Sequence, residues 1–486
     1  MSKFGMENLK IRNTIVFYLN GQRIEVTGAD TLKPFAHYLR YFLDKPGTKI
    51  VCSEGDCGAC TIMVANFRSG SLQKFQAINS CIAPVFSLDL SHVVTVEGLA
   101  DEQGLSVVQK AFVANNGAQC GYCTPGFVCA MTALAEDCVI ENKPITAKKA
   151  RNYLTGNLCR CTGYEPILKA ATSIDLKEVK SLTRYVSKES LADFVSLSNS
   201  VEISGSNFKI NMPTTLAEAA EIKSADTRII AGATDLGVLI NKDKFSLVKV
   251  LNLVHISELQ KVQFVDGKCK VGARVTLTQL EESLKMHSPE FAEILKIFAS
   301  PQIKNNATLV GNVVNASPIA DTIPALMILN TVIVTLSKMG SRRIAITDFY
   351  KGYKQLDLLP EEIVTHVEFQ IPRADQIFKL FKASPRKDLD ISVVTFAGLF
   401  SLDQKMITDT RIAFGGVGPV VIRMHELEKK FIGRQFTQEL FTTLSHFVEK
   451  EISPLSDLRG SREYRLKLGE NLVKKCYTEI STEYGL

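Results

Sequence analysis

Cys52, Cys57, Cys60 and Cys81 stand with four, two and twenty residues between successive members. A C-x4-C-x2-C run followed by one distant cysteine is the spacing with which a plant-type ferredoxin holds a [2Fe–2S] cluster. Soft thiolate sulfur suits cluster iron, and four thiolates close its two tetrahedra. The intervening residues, Ser53-Glu54-Gly55-Asp56 and Gly58-Ala59, are small and glycine-rich. A loop whose N–H groups turn inward toward sulfur needs that composition. A zinc ribbon is the competing use of four thiols. Structural zinc favours two tight Cys-x2-Cys pairs, so this spacing speaks for iron.

A second group follows in Cys120-Gly121-Tyr122-Cys123 and Cys159-Arg160-Cys161. A lone C-x2-C fits a thioredoxin-like pair, half a zinc site or half a cluster site about equally. The added C-x-C favours a cluster. Two ligands one residue apart serve one iron only on a tightly turned backbone, and Gly156 and Gly163 flank it. Cys129, Cys138, Cys269 and Cys476 read as small buried hydrophobes.

The elements that must position these thiols are legible around them. Residues 15–19 and 24–26 predict a hairpin about Gly21, and Thr31 is placed to cap a helix running to about Leu43. Strands at 61–65, 75–80 and 92–97 complete the order of a β-grasp ferredoxin. Residues 105–165 predict helices from Leu105, from Thr124 through Leu134, and after Thr146, with the second cysteine group at their ends.

Hydrophobic residues make up 45% and charged residues 22% of the 486, values of a globular chain of about three domains. The net charge of +6 is spread, with no basic stripe for nucleic acid or a membrane surface. No apolar run of membrane-spanning length occurs, and the opening residues through Arg12 lack a leader's apolar core. Twelve cysteines without an export signal predict a reducing, cytoplasmic setting.

Residues 178–206, rich in Ser, Lys and acids, read as a connector, after which the pattern turns to alternating strands and helices. A strand at 228–230 runs into Ala231-Gly232-Ala233-Thr234-Asp235-Leu236-Gly237. Such a turn can face N–H groups to a phosphate, or be an ordinary strand-to-helix turn, since it lacks Gly-x-Gly-x-x-Gly. The stretch from Asn305 to Asp321 sets amides, hydroxyls and a carboxylate among small residues. On composition it suits a polar ligand and a helix-capping loop equally. The basic pair Arg386-Lys387 reads on charge as a solvated turn.

Three strings together resemble one family. They are Cys52-Ser53-Glu54-Gly55-Asp56-Cys57-Gly58-Ala59-Cys60, Gln119-Cys120-Gly121-Tyr122-Cys123-Thr124-Pro125-Gly126 and Asn157-Leu158-Cys159-Arg160-Cys161-Thr162-Gly163-Tyr164. The resemblance is to the iron–sulfur portion of the xanthine oxidase family of molybdenum hydroxylases. Glu165 stands where that family more often has a basic residue. Residues 208–371 resemble its FAD-binding domain, of vanillyl-alcohol-oxidase-like fold, and the text from Phe381 through Pro419 its C-terminal domain.

The resemblance implies two [2Fe–2S] clusters, on Cys52, Cys57, Cys60 and Cys81 and on Cys120, Cys123, Cys159 and Cys161. It implies an FAD diphosphate on Ile229, Ile230, Ala231, Gly232, Ala233, Thr234, Asp235 and Leu236, and Phe298 near the flavin. Thr308 is implied as a hydroxyl contact, and Asn312, Ser317 and Asp321 fall on the family's Gly-Gly-Asn…Ala-Ser-Pro…Asp string. Val310 replaces that string's first glycine, and its β-branch forbids a positive φ and narrows access to the loop.

The expected fold is α+β and multidomain. It comprises a β-grasp ferredoxin domain (1–98), a four-helix [2Fe–2S] domain (99–177), a linker (178–206), an FAD-binding domain (207–374) and a C-terminal domain of the CO-dehydrogenase-flavoprotein type (375–486). Family members hydroxylate substrate at a molybdopterin domain absent from this sequence. The expectation is therefore an electron-transfer subunit that takes electrons from a large molybdopterin partner, in an α2β2 complex, and passes them to NAD+ as hypoxanthine and xanthine become urate. Gln119 would approach the pterin, and no catalytic base for purine chemistry is expected in this chain. Alternatives are the same module serving an aldehyde or N-heterocycle hydroxylase, and a zinc-bearing scaffold.

Overall fold

The computed structural model describes residues 11–386 and 389–485. The opening ten residues and Lys387 and Asp388 of the basic turn lie outside them. The chain forms two compact units. One runs to Glu258 and takes in Ser300–Ala307; the other comprises Leu259–Ala299 and continues from Thr308.

In the first unit, strands Ile15–Leu19 and Gln22–Val26 pair antiparallel. Asn20 and Gly21 between them both have positive φ, the two-residue turn that matches strand twist. Ile15–Leu19 runs parallel to Ser91–Val94, which pairs with Thr61–Arg68, itself paired with Gln76–Asn79. The result is a mixed sheet of β-grasp order. Helix Phe35–Tyr41 covers it, with the rings of Phe17 and Phe35 edge to face at 5.4 Å.

Two local expectations are corrected here. Thr31 caps no helix: it lies in a 3-10 turn, Gly28–Leu32, and its hydroxyl donates to the Gly28 carbonyl at 2.6 Å. Pro34 disfavours helical backbone at Lys33, so the α-helix starts only after it. The last strand stops at Val94, and Val96–Leu99 turns into a 3-10 helix.

Four helices follow: Val107–Ala114, Thr124–Glu141, Ala147–Tyr153 and Glu165–Thr172. Ser106 and Gln109 form a capping box on the first, and Thr146 caps the third. Thr124–Glu141 is apolar on all sides because it is buried on nearly all sides. Phe127, Met131 and Leu134 share one core with Met63, Ala65 and Phe75 of the sheet. Within 178–206, Ser187 caps helix Lys188–Ser196, whose fully buried Phe194 meets Tyr18, Phe67 and His92. Strands Val201–Ser204, Lys209–Met212, Lys249–Asn252 and Arg228–Ile230 form a second sheet, the last three parallel.

The second unit carries an antiparallel sheet in the order Val262–Val265, Lys268–Gly272, Ile363–Gln370, Val332–Ser337, Gly340–Ala345. Its final portion is a meander, Gln376–Ala383, Val394–Asp403 and Met406–Gly415, with a short edge at Ile422–Arg423. Helices His425–Phe431, Gln438–Ser445 and Arg462–Tyr484 close this core around Phe400, Phe431, Phe436 and Phe441. Among the described residues no helix is long and apolar enough to cross a membrane.

Candidate cluster and cofactor sites

The structure brings Cys52, Cys57, Cys60 and Cys81 together. Hydrogen bonds link Cys52 to Cys57 and to Cys81, and Cys60 to Cys81. Cys60 and Cys81 are buried, Cys52 and Cys57 partly so. The loop is wound tightly, with positive φ at Ser53, Gly55 and Gly58. That winding turns N–H groups inward: the N–H of Glu54 reaches Cys52 Sγ at 3.4 Å. The thiols shift in opposite directions. The Cys57 thiol holds Cys52 far below the ordinary range and Cys81 lowers Cys60, while Cys57 and Cys81 are pushed up by the partners they donate to. Four thiolates this close repel one another, and a cationic centre such as cluster iron would offset that repulsion.

Cys120, Cys123, Cys159 and Cys161 also meet, at the ends of three helices. Cys161 Sγ lies 3.5 Å from Cys120 Sγ, and Cys123 hydrogen-bonds Cys159. Thr162 donates its N–H to Cys159 Sγ at 3.4 Å. Burial and its bond to Cys159 push Cys123 up to about 12. Burial also opposes ionisation of Cys159, but the hydroxyl and N–H of Thr162 outweigh it and lower that thiol. Cys120 and Cys161 are exposed. Among the described residues, no three His, Cys, Asp or Glu side chains converge as a single-ion site. In this second group the thiols meet as Cys120 with Cys161 and Cys123 with Cys159.

The two cysteine loops touch. The N–H of Leu158 donates to the carbonyl of Cys57 at 2.9 Å, and Asn157 Nδ2 to the carbonyl of Gly58 at 3.0 Å. A Cβ on Gly58 would strike the Gly156 carbonyl, and one on Gly126 the Gly58 carbonyl. Gln302 Nε2 donates to Asn157 Oδ1 at 2.7 Å, and Ile303 packs beside Cys60, Cys81 and Ile82. Nothing in the spacing of Gln302 or Ile303 marks them, since their partners are more than a hundred residues away. Cys129, Cys138, Cys269 and Cys476 are buried and outside both groups.

Of the expected FAD residues, Ile229 to Leu236 belong to the first unit. Ile229 and Ile230 end a strand parallel to Lys249–Asn252. Ala231, Gly232 and Ala233 form the turn, Ala233 with a left-handed φ of 60°. Gly232 runs so close to the Asn306 carbonyl that a Cβ would collide with it. Thr234 is half-buried and Asp235 exposed, just before the short helix that opens at Leu236.

Phe298, Thr308, Asn312, Ser317 and Asp321 belong to the second unit. Thr308 caps helix Leu309–Asn315, accepting the N–H of Gly311 at 3.0 Å, and Asn312 Oδ1 accepts the Thr322 hydroxyl at 2.6 Å. Ser317 accepts the N–H of Ala320 at its carbonyl, and Phe298 is half-buried. Asp321 is held by the Ser392 hydroxyl and by Lys382 Nζ at 2.8 Å, and Lys382 also donates to the carbonyl of Ile297, next to Phe298. Burial raises Asp321 despite that cation. Val310 needs no positive φ: it is buried within the helix, and the left-handed residue comes later, at Ala316.

Comparison with known proteins places these strings in a family. Residues 206–374 match the FAD binding domain in molybdopterin dehydrogenase, 95–172 a [2Fe-2S] binding domain and 379–480 the CO dehydrogenase flavoprotein C-terminal domain. The xanthine dehydrogenase of Emericella nidulans is 31% identical over 87% of this chain and 35% of its own length. Xanthine dehydrogenase 1 of Arabidopsis thaliana is 28% identical over 96% and 40%. Among solved structures, quinoline 2-oxidoreductase from Pseudomonas putida 86 shares the fold with a TM-score of 0.53 at 24% identity, over 58% of this chain and 99% of that one. A Cu,Mo-CO dehydrogenase chain does so at 0.53 and 23%, over 56% and 97%. This is an iron–sulfur and FAD chain of the molybdenum hydroxylase family. It spans about two-fifths of the length of the curated relatives it matches.

Proposed function

We propose that this chain is the electron-transfer part of a xanthine dehydrogenase, working in the cytoplasm with a molybdopterin-bearing partner in an α2β2 assembly. Cys52, Cys57, Cys60 and Cys81 hold one [2Fe–2S] cluster, and Cys120, Cys123, Cys159 and Cys161 the other. FAD binds through residues 229–236 and through Phe298, Thr308, Asn312, Ser317 and Asp321. The final acceptor is NAD+, and the substrates oxidised on the partner are hypoxanthine and xanthine.

One observation carries this reading: the Leu158 N–H on the Cys57 carbonyl puts two four-thiol loops in direct contact. A relay needs that proximity, whereas two independent structural zinc sites do not. When bound, the clusters carry single electrons and FAD converts them to a hydride pair. The chain's residues orient and tune. The N–H groups of Glu54 and Thr162 donate to sulfur, which sets cluster potentials. Burial of Cys60 and Cys81 keeps water from the inner thiols, and exposure of Cys120 and Cys161 leaves the other loop open to a partner.

The test is anaerobic purification of the chain with metal, sulfide and flavin analysis. Four irons, four sulfides and one FAD per chain are expected, and NADH should bleach the flavin. A colourless, zinc-bearing protein would overturn the proposal. With the partner present, reduction by an aldehyde or another N-heterocycle, but not by xanthine, would move the assignment to a sibling hydroxylase.

A further inference from the structure

Arg274 lies between strand Lys268–Gly272 and helix Leu277–Leu284, inside the region that matches the FAD-binding family. Its backbone is fixed: its own N–H donates to the Leu259 carbonyl at 2.8 Å, and that of Ala273 to Thr365 at 2.9 Å. Ala273 and Val275 on either side are buried. The guanidinium Nε and Nη1 are shut off from solvent and donate to nothing. Among the described residues, the buried arginines have acceptors: Arg12 has Asp89, Arg68 has the carbonyls of Phe67 and Asp89, and Arg465 has Asp457 and two carbonyls. Neither Nε nor Nη1 of Arg274 reaches a carboxylate or a carbonyl, and burial pulls the pKa of the group down to about 10. A desolvated guanidinium with open donors is costly unless an anion completes it. Two residues on, Thr276 caps its helix and bridges antiparallel to Thr308, the cap of the neighbouring helix and a residue of the proposed FAD set.

We propose that Arg274 is a cofactor-binding residue whose guanidinium donates to an oxyanion of the bound FAD. The inference rests on the reading that this domain takes FAD. Two parts of the cofactor offer that chemistry, the diphosphate and the pyrimidine end of the reduced ring. Either one accepts the fork of N–H donors that Arg presents.

The experiment strips flavin from the full chain and titrates FAD back by fluorescence, alongside thermal unfolding with and without FAD. Arg274→Met should weaken FAD binding about ten- to a hundredfold, the scale of lost charged hydrogen bonds. Arg274→Lys, which keeps the charge, should recover part of it. The flavin-free Met variant should unfold at or above the parent's midpoint, since it removes an uncompensated buried cation, yet gain less from added FAD. If ADP binding weakens in parallel, the oxyanion is the diphosphate. If ADP binding holds and the flavin midpoint potential falls, it is the ring. FAD affinity within twofold of the parent in Arg274→Met overturns the proposal. A parent chain that itself fails to bind FAD would instead refute the reading on which it rests.

Discussion

The carbonyl oxygen of Cys57 accepts the N–H of Leu158 at 2.9 Å, one residue before Cys159. One backbone hydrogen bond thus ties the loop of the first cysteine group to the loop of the second. Three glycines make the approach possible: Gly58, Gly126 and Gly156 stand where any Cβ would collide with a neighbouring atom.

Gly126→Ala is therefore expected to destabilise the unit by about 1–3 kcal/mol, the cost of overpacking against backbone that cannot yield. Gly58→Ala should cost more. Its φ of +68° adds about 1–2 kcal/mol for a left-handed alanine. Both should lower the iron bound per chain. Unchanged iron content and thermal midpoint in the two variants would count against the close approach.

Cys120→Ser should remove one of two distinguishable cluster signals in electron paramagnetic resonance. Cys129→Ala, in the buried helix close by, should keep both signals. The second variant loses only packing, of order 1 kcal/mol. Loss of a signal in Cys129→Ala, or an unaltered spectrum in Cys120→Ser, would break the ligand assignment.

Lys382 and Asp321 form a buried ion pair, their side chains 1% and 7% exposed. Lys382→Met leaves Asp321 charged and alone but for Ser392, and breaking such a pair typically costs about 3–5 kcal/mol. Asp321→Asn, which still offers an oxygen to Lys382, should cost less. Denaturant midpoints of the two variants test the ranking; equal loss would show that charge at Asp321 is not what Lys382 compensates.

His92 is packed between Tyr18 and Phe194, and burial pulls its pKa from 6.5 to about 4. The folded state thus prefers the neutral ring. The stability this gives is fully present above pH 6.5 and is lost as pH falls toward 4. With allowance for partial screening the loss is about 1–2 kcal/mol. His92→Phe should lack that component, so its urea midpoint should fall less than the parent's between pH 7.5 and pH 5. Parallel slopes would exclude the histidine as the source.

What the sequence disclosed follows the range of the interactions. Ligand spacing around iron is local chemistry, so both cysteine groups stood out, as did the helix start at Thr146, whose cap is satisfied within three residues. The Thr31 helix failed because a proline two residues beyond Leu32 outranked a good capping residue. At Val310 no positive φ is called for, because its backbone is helical, which a β-branched residue can adopt. Gln302, Lys382 and Arg274 were invisible as site residues: their roles come from partners, or the lack of them, that only the folded chain defines.

Ser300–Ala307 belongs to the first unit although it arrives some forty residues after Glu258. The iron–sulfur half is consequently not a cassette that can be cut free at that point. A gene truncated there would express a protein with an open slot where Ile303 covers the inner thiols and an unanswered amide at Asn157. Anyone wishing to graft this wiring onto another scaffold must carry the returning strap as well.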